Sequence, residues 1–330
     1  MPLYALGSNS AYQLSLTHTD DVASPSETTL VLPKDTFPVK IVAGSNHTLV
    51  LTNKGTLYTT GGNKYGQCLK PECDYVPGLG LVADKWLDIA ATWEGTIGIK
   101  EDGSLCTFGR IRDSENLPGW EGLEAQHVYG GVQHFVIHSC SLSKEELIGF
   151  GDGRKGQFGG YLGNNIRTDS DYIRFSDPLR SVACGKEFTC LLVENVNPIQ
   201  VYTNSEKHNI RAVPPLDDVH SVAASWSTIA VLHNSGKITA WGRNDRGQFP
   251  PENLPPVKQL AAGSEHFIAL SKDDRVYAWG WNEHGNCGKE DRTDVTDVHE
   301  LVFPDDEIPT YVAAGCGTSW IWTEKRSERN

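Results

Sequence analysis

The fold is decided by a stretch that reads Ile41-Val42-Ala43-Gly44-Ser45-Asn46-His47-Thr48-Leu49-Val50-Leu51. A turn at Asn53-Lys54-Gly55 separates it from a second stretch, Leu57-Tyr58-Thr59-Thr60-Gly61-Gly62-Asn63, and Gly66-Gln67 closes the unit. Short runs rich in β-branched and apolar residues alternate here with turns centred on glycine. This pattern predicts β-strands joined in hairpins.

The unit is an internal repeat. Close copies begin at Val222 and at Leu260, and each continues into a second stretch of the same kind, Ala240–Asn244 and Val276–Asn282. With weaker copies included, seven units are centred on Gly44, Ala91, Gly131, Gly185, Ala224, Gly263 and Gly315. A repeat of roughly 40–50 residues with four short strands is typical of one propeller blade. We therefore predict an all-β fold, a single seven-bladed β-propeller over residues 1–330.

The two chain ends indicate that the ring closes on itself. The unit at Gly315 reaches only its first half before the sequence runs out, and the missing half stands at the other end, where Leu3–Asn9 matches Val276–Asn282. We expect N-terminal strands to complete the last blade beside Tyr311–Trp322. Such closure leaves no open sheet edge between the first and last blades.

Composition limits the partners and the location. The chain has 42 acidic and 29 basic residues, a net charge of −13, so nucleic acid and anionic membranes are poor partners and a basic partner surface fits better. The N-terminus has no signal-peptide pattern, and no apolar run approaches the ~20 residues of a spanning helix. We expect a soluble, intracellular chain, in the cytoplasm and also in the nucleus. The eight scattered cysteines predict no disulfide framework and no metal site.

One rim of the ring is the predicted binding face. Because consecutive antiparallel strands reverse direction, the Gly-x-x-His turns and the Gly-x-Asn loops lie on the same side. Large aromatic residues at such exposed turns suggest an interaction hot spot with a mixed, mostly acidic border. The predicted partner-binding residues are Trp93, Glu94, Glu187, Trp226, Arg243, Glu265, His266, Trp281 and His284. Two alternatives stay open: Trp93 and Trp226 as core residues, and His266 as a structural residue of the repeat.

No motif indicates catalysis. Gly151–Gly156 matches the dinucleotide fingerprint Gly-x-Gly-x-x-Gly, but no helix is predicted after it and it is in phase with Gly61–Gln67. Phosphate-loop and serine-nucleophile motifs are absent from the sequence. We predict a protein that is not an enzyme and needs no cofactor. Two insertions, Ser139–Glu146 and Lys289–Pro309, are predicted surface loops that could contact a partner.

The repeat resembles that of the regulator of chromosome condensation family, from Leu3 to Trp322. The resemblance rests on Ala-Gly-x-x-His-Thr followed by Trp-Gly-x-Asn-x-x-Gly-Gln, and it is strongest around Gly44, Ala224 and Gly263. One function in this family is guanine-nucleotide exchange on a small GTPase. We keep it as the alternative; it ranks second because the chain is acidic and lacks a basic N-terminal tail.

A small, acidic propeller is most similar to the killer-toxin-insensitivity, alpha-tubulin-suppressor type within that family. The resemblance implies a non-catalytic, protein-binding propeller that forms a heterodimer with a small zinc-binding protein of diphthamide synthesis. It further implies support for Elongator-dependent modification of wobble uridines in tRNA and for diphthamide formation on elongation factor 2. Direct DNA binding and membrane binding are not expected.

Overall fold

The structure is a computed structural model that describes residues 1–111, 123–141, 144–159, 171–173, 175 and 177–328. Over these residues the chain is built from β-strands, with two three-residue 3₁₀ turns at Lys207–Asn209 and Arg326–Glu328. Within the same ranges, no helix has the length and apolar character needed to cross a membrane.

The strands follow one another along the chain with short turns between them. The first thirteen are β1 (Leu3–Gly7), β2 (Val22–Glu27), β3 (Pro38–Ala43), β4 (His47–Thr52), β5 (Leu57–Gly62), β6 (Tyr75–Val82), β7 (Trp86–Ala91), β8 (Gly95–Lys100), β9 (Leu105–Gly109), β10 (Ala125–Gly130), β11 (His134–Ser141), β12 (Lys144–Gly151) and β13 (Asp171–Ile173). The others are β14 (Leu179–Cys184), β15 (Thr189–Val193), β16 (Ile199–Tyr202), β17 (Val219–Ala224), β18 (Thr228–His233), β19 (Ile238–Gly242), β20 (Val257–Ala262), β21 (His266–Ser271), β22 (Val276–Gly280), β23 (Glu300–Leu301), β24 (Glu307–Ala314) and β25 (Thr318–Lys325).

Seven antiparallel sheets, counted over the described ranges, form the blades. Six follow the chain order: β3–β6, β7–β9, β10–β13, β14–β16, β17–β19 and β20–β23. We number them as the first to sixth blades. The first strand of each blade contacts the first strand of the next, and β24 contacts β3, so the cycle of seven closes. The predicted all-β, seven-bladed propeller is confirmed.

The seventh, closing blade joins the two ends of the chain. Its strand order is β2-β1-β25-β24, and β1 pairs with β25 from Leu3 opposite Trp322 to Gly7 opposite Thr318. Trp320 and Trp322 are almost fully buried and share one apolar core with Leu3 and other N-terminal residues. The predicted completion of the last blade by an N-terminal strand is therefore confirmed.

A β-bulge recurs in the first strand of each of these seven sheets, for example between Pro38 and Lys40 and between Val257 and Gln259. The same irregularity stands near the start of β7, β10, β14, β17 and β24. A bulge increases the local right-handed twist of a strand. Each of these strands is thus twisted at the equivalent point near its start.

The Gly-x-x-His phrase joins one blade to the next. Nε2 of His47 lies 3.0 Å from Oγ1 of Thr96 in the second blade, and Nε2 of His266 lies 3.1 Å from Oγ of Ser319 in the closing blade. The glycine is required because the histidine ring packs against it: a Cβ on Gly44 would lie 2.3 Å from Cε1 of His47. The repeated histidine is therefore a structural contact between blades.

These buried histidines make stability depend on pH. Burial lowers the pKa of His47, His134 and His266 from 6.5 to about 4, so all three are neutral in the folded chain at pH 7. Between these two values the unfolded chain binds more protons than the folded chain. Stability is therefore expected to fall as the pH is lowered from about 6.5 towards 4.

Replacing His266 with glutamine should remove one of these protonation sites. We expect the variant to lose about 2 kcal/mol less stability than the wild type between pH 7 and pH 5, because one fewer proton is taken up on unfolding. Urea unfolding curves over this pH range measure the difference. A His220→Gln variant, at an exposed position, is the control, and equal pH slopes for the wild type and His266→Gln would contradict the prediction.

The prediction that the first insertion, Ser139–Glu146, is a surface loop needs correction. Residues 139–141 and 144–146 of the predicted loop belong to β11 and β12, in which Cys140 pairs with Glu145, and residues 142–143 lie outside the described residues. Cross-strand pairs continue the ladder to the strand ends, so this segment extends the third blade. The second insertion, Lys289–Pro309, is mostly loop, but it supplies β23 as the outer strand of the sixth blade and the first residues of β24.

Candidate protein-binding face

One rim of the ring carries both sets of predicted loops. The backbone N–H of Arg243 donates to the carbonyl of Ser227, and the N–H of Trp281 donates to the carbonyl of Glu265, both at 2.9 Å. The Gly-x-Asn loops are thus hydrogen-bonded to the Gly-x-x-His turns. We call this rim the loop face; it comprises these turns and loops in the successive blades.

Two indoles meet across the axis of the ring on the loop face. Trp93 belongs to the second blade and Trp226 to the fifth, yet their ring centroids are 5.4 Å apart with the planes tilted by 52°. Both line one end of the central channel, a cavity of about 230 Å³ bounded by the first strands of all seven blades. Trp93 is 39% exposed and Trp226 is partly buried. The two indoles therefore cover the channel mouth and remain accessible.

A cavity of about 340 Å³ lies beside Trp226 on the same face. We call it the Trp226 pocket. It is lined by Lys186, Glu187, Phe188, Thr203, Ser205, Lys207, His208, Ile210, Trp226, Ser227, Arg243, Arg246, Ser264, Glu265 and Trp281. These residues come from the fourth, fifth and sixth blades and the loops between them. Its size suits one or two side chains of a partner, and its walls combine indoles with charged groups.

Backbone hydrogen bonds fix Trp226 in place. Its N–H donates to the carbonyl of Ser264 at 2.7 Å, and its carbonyl accepts from the N–H of Lys186 at 2.9 Å. The Lys186 ammonium lies 5.6 Å from the centroid of the indole ring, a distance that permits a cation–π contact. A rigid indole loses little conformational entropy when a partner packs on it, which favours its use as an anchor.

Glu265 has a different role from the one predicted. It is 8% exposed, and its carboxylate accepts hydrogen bonds from Oγ of Ser227 at 2.6 Å and Nε2 of Gln248 at 3.0 Å. Nη1 of Arg243 lies 3.4 Å from the same carboxylate. Glu265 therefore positions neighbouring side chains of the pocket wall, and the prediction that it borders the face as an exposed acid is wrong.

The pocket lining combines basic and acidic groups, whereas the border predicted for the face is mostly acidic. Lysine and arginine occupy four lining positions, 186, 207, 243 and 246, and glutamate occupies two, 187 and 265. Neighbouring carboxylates contact some of these cations: the guanidinium of Arg243 donates to both oxygens of Asp245. Lys207 and Arg246 likewise contact Glu187 and Asp294, respectively, so neighbouring carboxylates offset three of these four cations.

Glu187 is held in its ionised form at the edge of the pocket. Burial alone would raise its pKa, but hydrogen bonds from Oγ of Ser205, at 2.8 Å, and Nζ of Lys207, at 3.3 Å, keep the pKa below its ordinary value. The carboxylate thus orients two residues of the neighbouring loop. The same bonds hold Lys207 at the pocket.

Of the remaining predicted residues, Trp281 lines the pocket, whereas His284 and Glu94 do not. Nε1 of Trp281 donates to Glu283, and its ring contacts that of His284 edge-on, with centroids 5.3 Å apart. His284 in turn contacts Asp21, with Nδ1 2.7 Å from Oδ2. Glu94 lies next to Trp93, where Oε2 is 3.6 Å from Nη1 of Arg110.

His266 corrects one prediction. It is fully buried in the contact between the sixth and closing blades described above, so it cannot touch a partner. The structural alternative that the repeat left open is the right one for this residue.

Sequence reasoning missed several pocket residues. Lys186 was visible as a turn position, but Ser205, Lys207 and Arg246 belong to loops whose neighbours in space are far apart in the chain. A signal for part of the loop was available, because the repeat is degraded at Tyr202-Thr203-Asn204. A departure from the repeat sequence indicates that the loop at this position differs in structure from the equivalent loops of the other blades.

The dinucleotide fingerprint is part of the repeat, as predicted. The described residues that follow Gly156, up to residue 159, form a turn: the N–H of Gly156 donates to the carbonyl of Gly153, and Oε1 of Gln157 accepts from the N–H of Lys155. The equivalent Gln248 makes the same contact with Arg246. The segment therefore has the same turn as the equivalent loop of the fifth blade.

Comparison with known proteins decides the family. The profile described as the regulator of chromosome condensation (RCC1) repeat matches residues 39–67, 219–248 and 257–286, the three units in which the pattern is strongest. An RCC1 repeat-containing protein of Schizosaccharomyces pombe is 30% identical over 98% of this chain and 99% of its own length. The chain belongs to the RCC1 repeat family.

Other members of the RCC1 repeat family differ in function. A secretion-regulating guanine nucleotide exchange factor of Mus musculus is 25% identical, covering 87% of this chain and 64% of that protein. Among solved structures, Prp20p of Saccharomyces cerevisiae superimposes with a TM-score of 0.81, at 17% identity over 98% of this chain and 91% of that one. Human WBSCR16 does so with 0.78, at 17% identity over 98% and 100%. RCC1-like propellers are mostly regulators or exchange factors rather than catalysts, and these structures support the fold alone.

Proposed function

We propose that this chain is a non-catalytic platform that binds another protein on its loop face, at Trp93, Trp226 and the Trp226 pocket. The single observation that carries the proposal is the pair of accessible indoles from opposite sides of the ring beside a pocket of about 340 Å³. An aromatic anchor next to a concave pocket is the usual centre of a protein interface.

We further propose that the partner is the small zinc-binding protein of diphthamide synthesis. The heterodimer would act in the cytoplasm and the nucleus and support Elongator-dependent tRNA modification and diphthamide formation. This proposal rests on the resemblance to the small members of the family, and the basic groups around the pocket favour a partner that presents acidic side chains.

The direct test mixes the two purified proteins. We expect a 1:1 complex in size-exclusion chromatography and calorimetry. Substitutions at Trp226 should weaken this complex. Absence of binding at micromolar concentrations would reject this partner. The alternative, an exchange factor, draws on the mouse relative named above; faster nucleotide release from a small GTPase in the presence of this chain would support it instead.

Charge reversal tests the preference for an acidic partner. Replacing both Lys186 and Lys207 with glutamate is expected to slow association by about tenfold at low salt, because long-range attraction steers the encounter. Stopped-flow kinetics at several salt concentrations measure it. The matched control is Lys237→Glu, an exposed lysine in the turn between β18 and β19, on the opposite rim. An unchanged or faster rate in the double variant would contradict the prediction.

A further inference from the structure

A cluster of metal-binding side chain types lies on the hairpin of the third blade. His138 and Cys140 belong to β11 and Glu145 to β12. Cys140 and Glu145 are cross-strand partners, and His138 stands two residues before Cys140, so all three side chains leave the sheet on one face. One ligand atom from each lies within 4.8 Å of the others. Strand pairing alone therefore brings a nitrogen, a sulfur and an oxygen ligand together.

A second observation points to a bound cation. Nε2 of His138 is buried and has no hydrogen-bond partner among the described residues, and the residue is 7% exposed. Oε1 of Glu145 is 3.9 Å away, too far for a hydrogen bond but suited to a shared ion between the two atoms. A buried polar atom without a partner costs free energy, which a metal ion would recover.

Neighbouring groups hold two of these side chains in orientation. The other oxygen of Glu145, Oε2, accepts a hydrogen bond from the N–H of Leu179 in the fourth blade at 3.4 Å. The ring of His138 stacks on that of His127, with centroids 6.0 Å apart and planes at 21°. Support of this kind around the ligands is a common feature of metal sites in proteins.

We propose that His138, Cys140 and Glu145 bind a divalent transition metal ion, with zinc as the best match. Zinc accepts imidazole, thiolate and carboxylate ligands together, whereas magnesium and calcium prefer oxygen ligands alone. Three protein ligands leave a fourth position open to water or to a partner's side chain. The site lies towards the far end of β11 from His134, away from the loop face, so it is independent of the proposed protein-binding function.

Cobalt and zinc titrations of chelator-treated protein test the site. We expect one equivalent of Co²⁺ to produce a thiolate-to-cobalt absorption band in the near ultraviolet, and Zn²⁺ to displace it and to raise the melting temperature. Cys140→Ser should abolish the band and His138→Gln the zinc-dependent shift. Glu145→Gln, at an exposed side chain, should weaken zinc binding while leaving the metal-free melting temperature unchanged.

The matched control is Cys73→Ser, which removes an exposed free cysteine of the first blade and should bind metal like the wild type. Absence of the band and of the thermal shift in the wild type would overturn the proposal. So would a Cys140→Ser or Glu145→Gln protein that folds and binds zinc as tightly as the wild type.

Discussion

Replacing Trp320 with alanine is expected to lower the free energy of unfolding by about 3–5 kcal/mol. Trp320 is fully buried, lies opposite Ala5 in the ladder between β25 and β1, and shares its core with Leu3 and Leu14. Truncation would remove a large apolar contact and leave a cavity between the two ends of the chain. The closing blade would lose the packing that keeps β1 in place.

Urea unfolding followed by far-ultraviolet circular dichroism measures this effect without relying on tryptophan fluorescence. The matched control is Trp93→Ala, which truncates the same residue type at a 39% exposed position and should cost about 1 kcal/mol or less. If the two variants were equally stable, the closing blade would not be where the ring derives its stability.

Replacing Trp226 with alanine is expected to weaken partner binding by about 2–4 kcal/mol, which corresponds to a roughly 30- to 1,000-fold increase in Kd. The indole lines both the channel mouth and the Trp226 pocket, and it contacts Trp93 and Lys186. Its loss would enlarge the pocket and remove the surface on which both neighbours pack. Calorimetry with the purified zinc-binding protein gives the change directly.

The control for this prediction is Tyr75→Ala, an exposed aromatic residue on β6 at the outside of the first blade. It should bind with wild-type affinity. A Trp226→Ala protein that keeps full affinity would remove the Trp226 pocket from the interface. Because Trp93 and Trp226 are in contact, we also expect the double variant to lose less than the sum of the single losses.

Much of the fold was predictable because each unit of the repeat needs the same residue types at the same positions. The glycine of Gly-x-x-His leaves room for the ring of His47, and the match of Leu3–Asn9 to Val276–Asn282 reflects equivalent third strands in the closing and sixth blades. Topology then placed the turns and loops on one rim, since antiparallel strands alternate in direction. The three candidate indoles were found in this way.

The charge and depth of the site were not predictable. Lys207 and Arg246 reach the pocket from different loops, and the total charge of −13 does not show where individual cations stand. The burial of His266 and Glu265 was not predictable. Both belong to a turn, which the sequence alone suggests is exposed, but residues of neighbouring blades cover them. Contacts made by variable positions and loops, such as those of Lys207 and Arg246, depend on the three-dimensional ring and leave no pattern within a single unit.

The pairing of β1 with β25 has a consequence for synthesis. Gly7 emerges from the ribosome 311 residues before Thr318, its partner in the ladder. At a rate of about 5–20 residues per second, this strand waits roughly 15–60 seconds with its edge unpaired. During translation the nascent chain therefore carries an apolar segment open to chaperones or to mispairing, and the ring can close only when the last blade is made.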